Sequence, residues 1–89
     1  MKRAEPPQII TATPHGRVLR FTFAAGEGVP THKHPGAQVV VTVLSGQVEV
    51  TAEESCTLKA AEILTHDGDQ PLSLFATQDS SVVVTLIHR

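Results

Sequence analysis

The sequence of 89 residues contains no tryptophan and no tyrosine, and its aromatic side chains are three phenylalanines. The aromatic surfaces on which proteins stack nucleobases are therefore scarce. Basic and acidic residues nearly balance, with 7 Lys and Arg against 9 Asp and Glu, so the chain lacks the basic excess of nucleic-acid-binding domains. These absences argue against a nucleic-acid partner.

Long apolar runs and cysteine pairs are also missing. No apolar run reaches about 18 residues, and no charged start precedes an apolar segment, so we expect neither a membrane span nor a signal peptide. Cys56 is the single cysteine and cannot form a disulfide within the chain. We expect it to be a buried or partly buried thiol without a chemical role, in a cytoplasmic protein.

Length and proline content predict one small domain with an extended N-terminal arm. A chain of 89 residues buries only about 60% of the surface that its unfolded form exposes, so its core is small. The pair Pro6 and Pro7 fixes two φ angles and removes two hydrogen-bond donors, which excludes a helix there. We expect residues 1–8 to form the arm and residues 9–89 a single barrel domain.

Short segments rich in β-branched residues and separated by turn residues occupy the rest of the chain. No segment has a helical periodicity long enough to cover a sheet. The pattern predicts an all-β sandwich or barrel. About eight strands are predicted, at residues 9–12, 17–24, 38–44, 47–51, 56–58, 62–65, 72–76 and 81–87.

Two runs of three valines, at 39–41 and 82–84, place apolar side chains on both faces of their strands. A monomeric sandwich needs an apolar surface on one face only, because the other face meets water. The second face is either buried within the chain or covered by a partner subunit. We expect the partner, and therefore a homodimer.

His32 and His34 lie two residues apart in a segment rich in glycine and proline, directly before a predicted strand. In an extended backbone, residues two apart point to the same side at roughly 6–7 Å, so both imidazoles can converge on one metal ion. The alternative is two solvent-exposed loop histidines without a shared role. The pair is the best candidate for a functional site.

The succession of Gly26, His32, His34 and Gly46 resembles the first motif of the cupin family, in which a glycine, His-x-His, an acidic residue and a second glycine follow at set spacing. The second motif is matched weakly, and Ala61 stands where the family usually has glycine. The resemblance implies an all-β fold of the cupin type, a double-stranded β-helix or jelly-roll barrel. Small cupins commonly dimerise through their sheets, which implies the same homodimer.

The chain departs from the family pattern at the remaining metal ligands. Depending on the spacing counted, Gln38 or Val39 occupies the acidic position. Counting without gaps places Leu72 at the third histidine, and counting from Gly68 places Pro71 there. None of these side chains supplies the charge of a carboxylate or the nitrogen of an imidazole.

A metal site built on His32 and His34 needs further donors, because first-row metals usually bind three or four protein ligands. Gln38 offers a neutral amide oxygen, or is simply a polar residue at a strand start. His66 lies in the loop that resembles the one carrying the family's third ligand, or is simply an exposed histidine. The candidate metal ligands are therefore His32, His34, Gln38 and His66, for a divalent ion such as Zn, Mn, Fe or Ni.

Two functions follow from these residues. In the first, the resemblance implies a metal-binding cupin whose ion acts as a Lewis acid or O₂ carrier in dioxygenase or isomerase chemistry on a small organic acid or phenolic compound. In the second, the barrel is a non-catalytic module for sensing, storage or scaffolding. Its small ligand would bind in an apolar mouth lined by Phe21, Phe23, Val41 and Leu72. The sequence leaves open whether the protein is an enzyme.

Overall fold

The computed structural model describes residues 2–89, and these residues form ten β-strands. Met1, the first residue of the predicted arm, lies outside this range. The strands are β1 (Lys2–Arg3), β2 (Gln8–Thr13), β3 (Gly16–Phe23), β4 (Glu27–His32), β5 (Ala37–Ser45), β6 (Gln47–Thr51), β7 (Ser55–Lys59), β8 (Ile63–Asp67), β9 (Leu72–Ala76) and β10 (Ser80–His88). The prediction of an all-β protein is confirmed, and all eight predicted strands are present. Within residues 2–89, no helix of the length and apolarity that a membrane crossing requires is found.

The strands form two five-stranded sheets that enclose one core. Their orders are β1-β4-β9-β6-β7 in the first sheet and β2-β3-β10-β5-β8 in the second sheet. β1 runs parallel to β4, whereas the other paired strands are antiparallel. The pairs β2–β3 and β6–β7 are hairpins of consecutive strands, whereas other neighbours, such as β3 and β10, are distant in sequence. The chain therefore passes between the two sheets several times.

The core consists almost entirely of aliphatic side chains at alternate strand positions. Along β5 the buried residues alternate with partly exposed ones, and β10 repeats this pattern. The valine runs therefore supply side chains to both faces, as predicted. The buried apolar residues are Leu19, Phe23, Ala37, Val39, Val41, Val43, Val48, Val50, Leu58, Leu72, Leu74, Ala76, Val82, Val84 and Leu86.

The outward surface of the second sheet, here called the outer face, carries few charges. Its exposed members include Ile63 and Ile87, which are 62% and 48% accessible. Its charged members are Arg20, which pairs with Val83 of β10, and Asp67, which lies at the end of the paired part of β8. The central residues are aliphatic or threonine: Val18, Val40, Val83, Thr42, Thr65 and Thr85. In a monomer this surface faces water.

The N-terminal segment joins the two sheets along one side of the sandwich. β1 pairs with β4, and the amide of Ala4 donates to the carbonyl of Gly28 at 2.9 Å. The chain then passes Pro6 and Pro7 and enters β2, which pairs with β3 in the opposite sheet. This segment therefore covers the edge where β4 and β3 lie.

The structure differs from the sequence expectation at β4 and at Cys56. No strand is predicted between residues 24 and 38, where glycine and proline are frequent, yet Glu27–His32 is a strand. Its pairing with β9 is irregular between Val29 and His32, where Pro30 has no N–H to donate to a partner strand. Cys56 is exposed instead of buried, because it lies on β7 at the edge of its sheet.

Candidate metal and ligand site

His32 ends β4, and His34 lies in the connection to β5. Both side chains are partly buried, and their ring centroids are 4.6 Å apart with the planes at 88°. Both line a cavity of about 40 Å³ between the sheets, which is room for a few water-sized groups. This histidine cavity is otherwise lined by Leu19, Phe21, Val29, Leu72, Leu74 and Val84. The structure thus brings the two predicted histidines together.

The backbone before His32 selects the tautomer of its neutral ring. Nδ1 of His32 lies 2.8 Å from the carbonyl oxygen of Pro30. Because a carbonyl oxygen only accepts hydrogen bonds, Nδ1 carries the proton and Nε2 of the neutral ring keeps its lone pair. Histidines that bind metals usually donate their second ring N–H in this way. This contact could not be predicted from the sequence, in which Pro30 indicates only a turn.

The environment of His34 favours a neutral ring. Partial burial lowers the pKa of His34, and electrostatic interaction with His32, Arg17 and His66 lowers it further. Neutral imidazole is the form that binds a metal, because its lone pair is free.

The loop that carries His34 is held against the loop after β8. The amide of His34 donates to the carbonyl of Gly68 at 2.8 Å, and the amide of Gly68 donates to the carbonyl of Ala37 at 2.9 Å. A Cβ on Gly68 would overlap the carbonyl oxygens of His34 and Ala37. Asp69 accepts a hydrogen bond from the amide of Gly36, so the turn after β8 also holds the loop that carries His34.

Gln38 lies on the opposite side of β5 from the core. It alternates with the buried residues Ala37 and Val39, and it pairs with Asp67 across the β5–β8 ladder. Its Nε2 donates to the carbonyl of His66 at 3.0 Å. The structure does not place Gln38 among the residues that line the histidine cavity.

His66 faces inward, in register with Val39, but it lines a different cleft. That cleft lies between the edge strands β7 and β8, and its lining includes Cys56, Glu53 and Glu54. Nε2 of His66 donates to the carbonyl of Gln70 at 2.9 Å. Across residues 2–89 no group of three or more His, Cys, Asp and Glu side chains is arranged to hold a metal ion.

Residues 19–88 match the family model described as Cupin_2, a cupin domain. The chain is a cupin. The resemblance stated from the His-x-His segment and its glycines is thereby confirmed, together with the jelly-roll fold that it implied. No curated protein matches this cupin in sequence.

Solved structures share the fold at low sequence identity. An RmlC-like cupin from Desulfovibrio desulfuricans aligns with a TM-score of 0.84 and 23% identity, over 91% of this chain and 79% of the other. KdgF from Halomonas sp. aligns with a TM-score of 0.85 and 22% identity, over 93% and 79%. A Streptococcus pyogenes protein of unknown function, SPY1581, gives 0.85 and 19%, over 93% and 73%. At these identities the likeness describes the fold alone.

The cupin scaffold of this chain supplies two of the donors that a metal needs. Val39 is fully buried in the register that keeps the motif's spacing to Gly46, and Leu72 pairs with His32 and lines the same cavity. Both side chains are hydrocarbon and cannot bind a metal. The residues present therefore supply two imidazoles, one fewer than the three protein ligands of catalytic zinc sites.

The apolar mouth expected for a ligand is present in part. Phe21 and Leu72 line the histidine cavity, whereas Phe23 and Val41 belong to the closed core. Only the first two side chains can contact a molecule that enters this end of the barrel.

Proposed function

We propose that this cupin domain binds a divalent metal ion through His32 and His34 and uses the ion to hold a small molecule. The observation that carries the proposal is the hydrogen bond from Nδ1 of His32 to Pro30, which leaves Nε2 as a donor atom in a side chain that lines the cavity. The neighbouring His34, held neutral by its surroundings, supplies the second donor.

A metal with open positions supplies a Lewis acid or an O₂-binding centre, as isomerase and dioxygenase chemistry requires. The chain's own contribution is to orient two neutral imidazoles and to surround them with hydrocarbon, which excludes bulk water and strengthens polar contacts made there. Small-molecule binding is the more general part of this proposal. Participation of Gln38 or His66 and a cytoplasmic location stay predictions.

The test is metal-dependent thermal unfolding of protein prepared without a polyhistidine tag. We expect Zn²⁺, Mn²⁺, Fe²⁺ or Ni²⁺ to raise the melting temperature relative to EDTA, and the double variant His32→Ala, His34→Ala to lose this shift. His15→Ala is the matched control, since His15 lies in the turn between β2 and β3 and does not line the cavity. An equal shift in the double variant would refute the two-histidine site, and loss of the shift in His66→Ala would add His66 to it.

A metal-free ligand-binding module is the second candidate. The observation in its favour is that Val39 and Leu72 occupy the positions of the missing donors. It predicts that protein in EDTA unfolds at the same temperature as protein with metal, yet binds a small molecule beside Phe21. Ligand binding that survives in the double variant without metal would favour this function over the first.

We further propose that two copies associate through the outer face. Five strands spaced by about 4.8 Å, with central strands about 30 Å long, offer roughly 700 Å², close to the roughly 800 Å² that each partner buries in a standard interface. Val83 lies centrally on this face, between Arg20 and Thr42 of the neighbouring strands. Light scattering should give a dimer for the wild type and a monomer for Val83→Glu, with Glu49→Lys on the other sheet as the control.

A further inference from the structure

We propose that the cleft beside the N-terminal segment binds a small carboxylic acid with an apolar body, and that Arg3 binds its carboxylate. This arm cleft has a volume of about 380 Å³, within the range of small-molecule sites. Its lining includes Arg3, Pro6, Phe21, Val29, Pro30 and His32. The inference rests on the proposed function, because it supplies a ligand class for the site beside His32.

The arm cleft and the histidine cavity share three lining residues. Phe21, Val29 and His32 contribute to both spaces. A molecule seated in the arm cleft therefore lies against the side chain of His32, and its far end can approach the cavity that the two imidazoles enclose. The pairing of β4 with β9 is irregular between Val29 and His32, the part of β4 that lines the arm cleft.

The composition of the arm cleft selects for an apolar anion. Alanine, proline, phenylalanine and valine side chains make its wall mainly apolar, so an aliphatic or aromatic body gains by burial there. Arg3 is the one permanently charged residue in the lining, and no carboxylate of residues 2–89 lies within ion-pairing distance of it. Glu5 follows it in the same segment, but it is exposed and does not line the cleft. A guanidinium binds a carboxylate through two parallel hydrogen bonds.

The cleft between β7 and β8 provides an internal contrast. It has a similar volume, about 410 Å³, but Glu53, Glu54 and Asp67 line it. These carboxylates repel an anion, so a carboxylic acid should bind at the arm and leave the other cleft unaffected.

The test is an NMR titration of ¹⁵N-labelled protein in EDTA with 3-phenylpropionate and with its neutral counterpart 3-phenylpropanamide. Arg3 is exposed, so we expect the carboxylate to bind about threefold to fivefold more tightly, as an ion pair with an exposed guanidinium gives. The amide signals that shift should be those of Ala4, Gly28 and Val29. Arg3→Gln should reduce binding of the carboxylate to that of the amide, and Arg3→Lys should retain part of the difference.

Arg20→Gln is the matched control, because Arg20 lies on the outer face of the second sheet and not in the arm cleft. Equal binding of the two compounds, unchanged binding by Arg3→Gln, or shifts centred on β7 and β8 would each overturn the inference. Repeating the titration with Zn²⁺ distinguishes this inference from the proposed function. Tightening by metal that His32→Ala abolishes supports the metal site, whereas the preference for the carboxylate in EDTA depends on Arg3 alone.

Discussion

Replacement of Leu72 by histidine is the sharpest test of how the two imidazoles are placed. Leu72 pairs with His32 across the β4–β9 ladder and lines the cavity that contains both rings. Leu72→His therefore adds a third nitrogen donor where the cavity has hydrocarbon. Three protein ligands are the number that catalytic zinc sites use. We expect the variant to bind Zn²⁺ more tightly than the wild type.

The same substitution costs stability when metal is absent. Leu72 is 3% exposed, so removing its buried methyl groups and burying an imidazole should destabilise the fold by about 2–4 kcal/mol. Zn²⁺ at a concentration about 100 times its dissociation constant stabilises the folded state by about 2.7 kcal/mol. For a domain of this length, that corresponds to a rise in melting temperature of roughly 10–20 °C.

The assay is thermal unfolding by circular dichroism, with EDTA or with Zn²⁺, on tag-free protein. Leu58→His is the matched control, because Leu58 is also a buried leucine but does not line the histidine cavity. The control should lose stability in EDTA without a comparable recovery in Zn²⁺. If both variants recover equally, or Leu72→His does not recover at all, the side chains at positions 32, 34 and 72 do not converge as the structure indicates.

Three further substitutions probe the frame of the site. Gly68→Ala should lower the free energy of unfolding in urea by about 1–3 kcal/mol, because the added Cβ overlaps the carbonyl oxygens of His34 and Ala37. Ala61→Gly should raise that free energy by about 1 kcal/mol, because Ala61 has a φ of 71°, a left-handed conformation that costs a residue with a Cβ about this much. The amide of Asp69 and the guanidinium of Arg89 lower the pKa of Asp67, so its charged form stabilises the folded state above the ordinary pKa near 3.8 and loses this effect as the pH falls. Chemical unfolding at several pH values should therefore show a deficit for Asp67→Asn at pH 5 and above that shrinks below about pH 4.

The sequence predicts the strands well where apolar and polar side chains alternate, and less well where backbone geometry determines whether a strand forms. β5 and β10 follow from their valines, because alternate positions must be buried. β4 is missed, since Gly28 and Pro30 are typical of loops and its pairing depends on β9, 40 or more residues away. The left-handed φ of Ala61 explains why glycine is usual there, but the residue type alone does not reveal it.

The candidate site shows the same division. The spacing of His32 and His34 predicts that they share a side, and the structure brings them together. The choice between Gln38 and Val39 depends on where β5 begins, because a shift of one residue reverses the side of every residue in a strand. In the structure, the side chain of Val39 points toward the core and that of Gln38 points away from it. The cleft that His66 lines depends on how the edges of two sheets approach each other, which local sequence does not encode.

The short segment that connects the two sheets has a consequence for how this protein can change its preferences. Apart from Ala4, which packs against the core, this segment contributes little to the buried interior. With the role proposed for Arg3, ligand selectivity and the stability of the fold depend on largely separate parts of the chain. A few substitutions before β2 could therefore change which ligands bind while the barrel keeps its stability. Such a protein suits directed evolution.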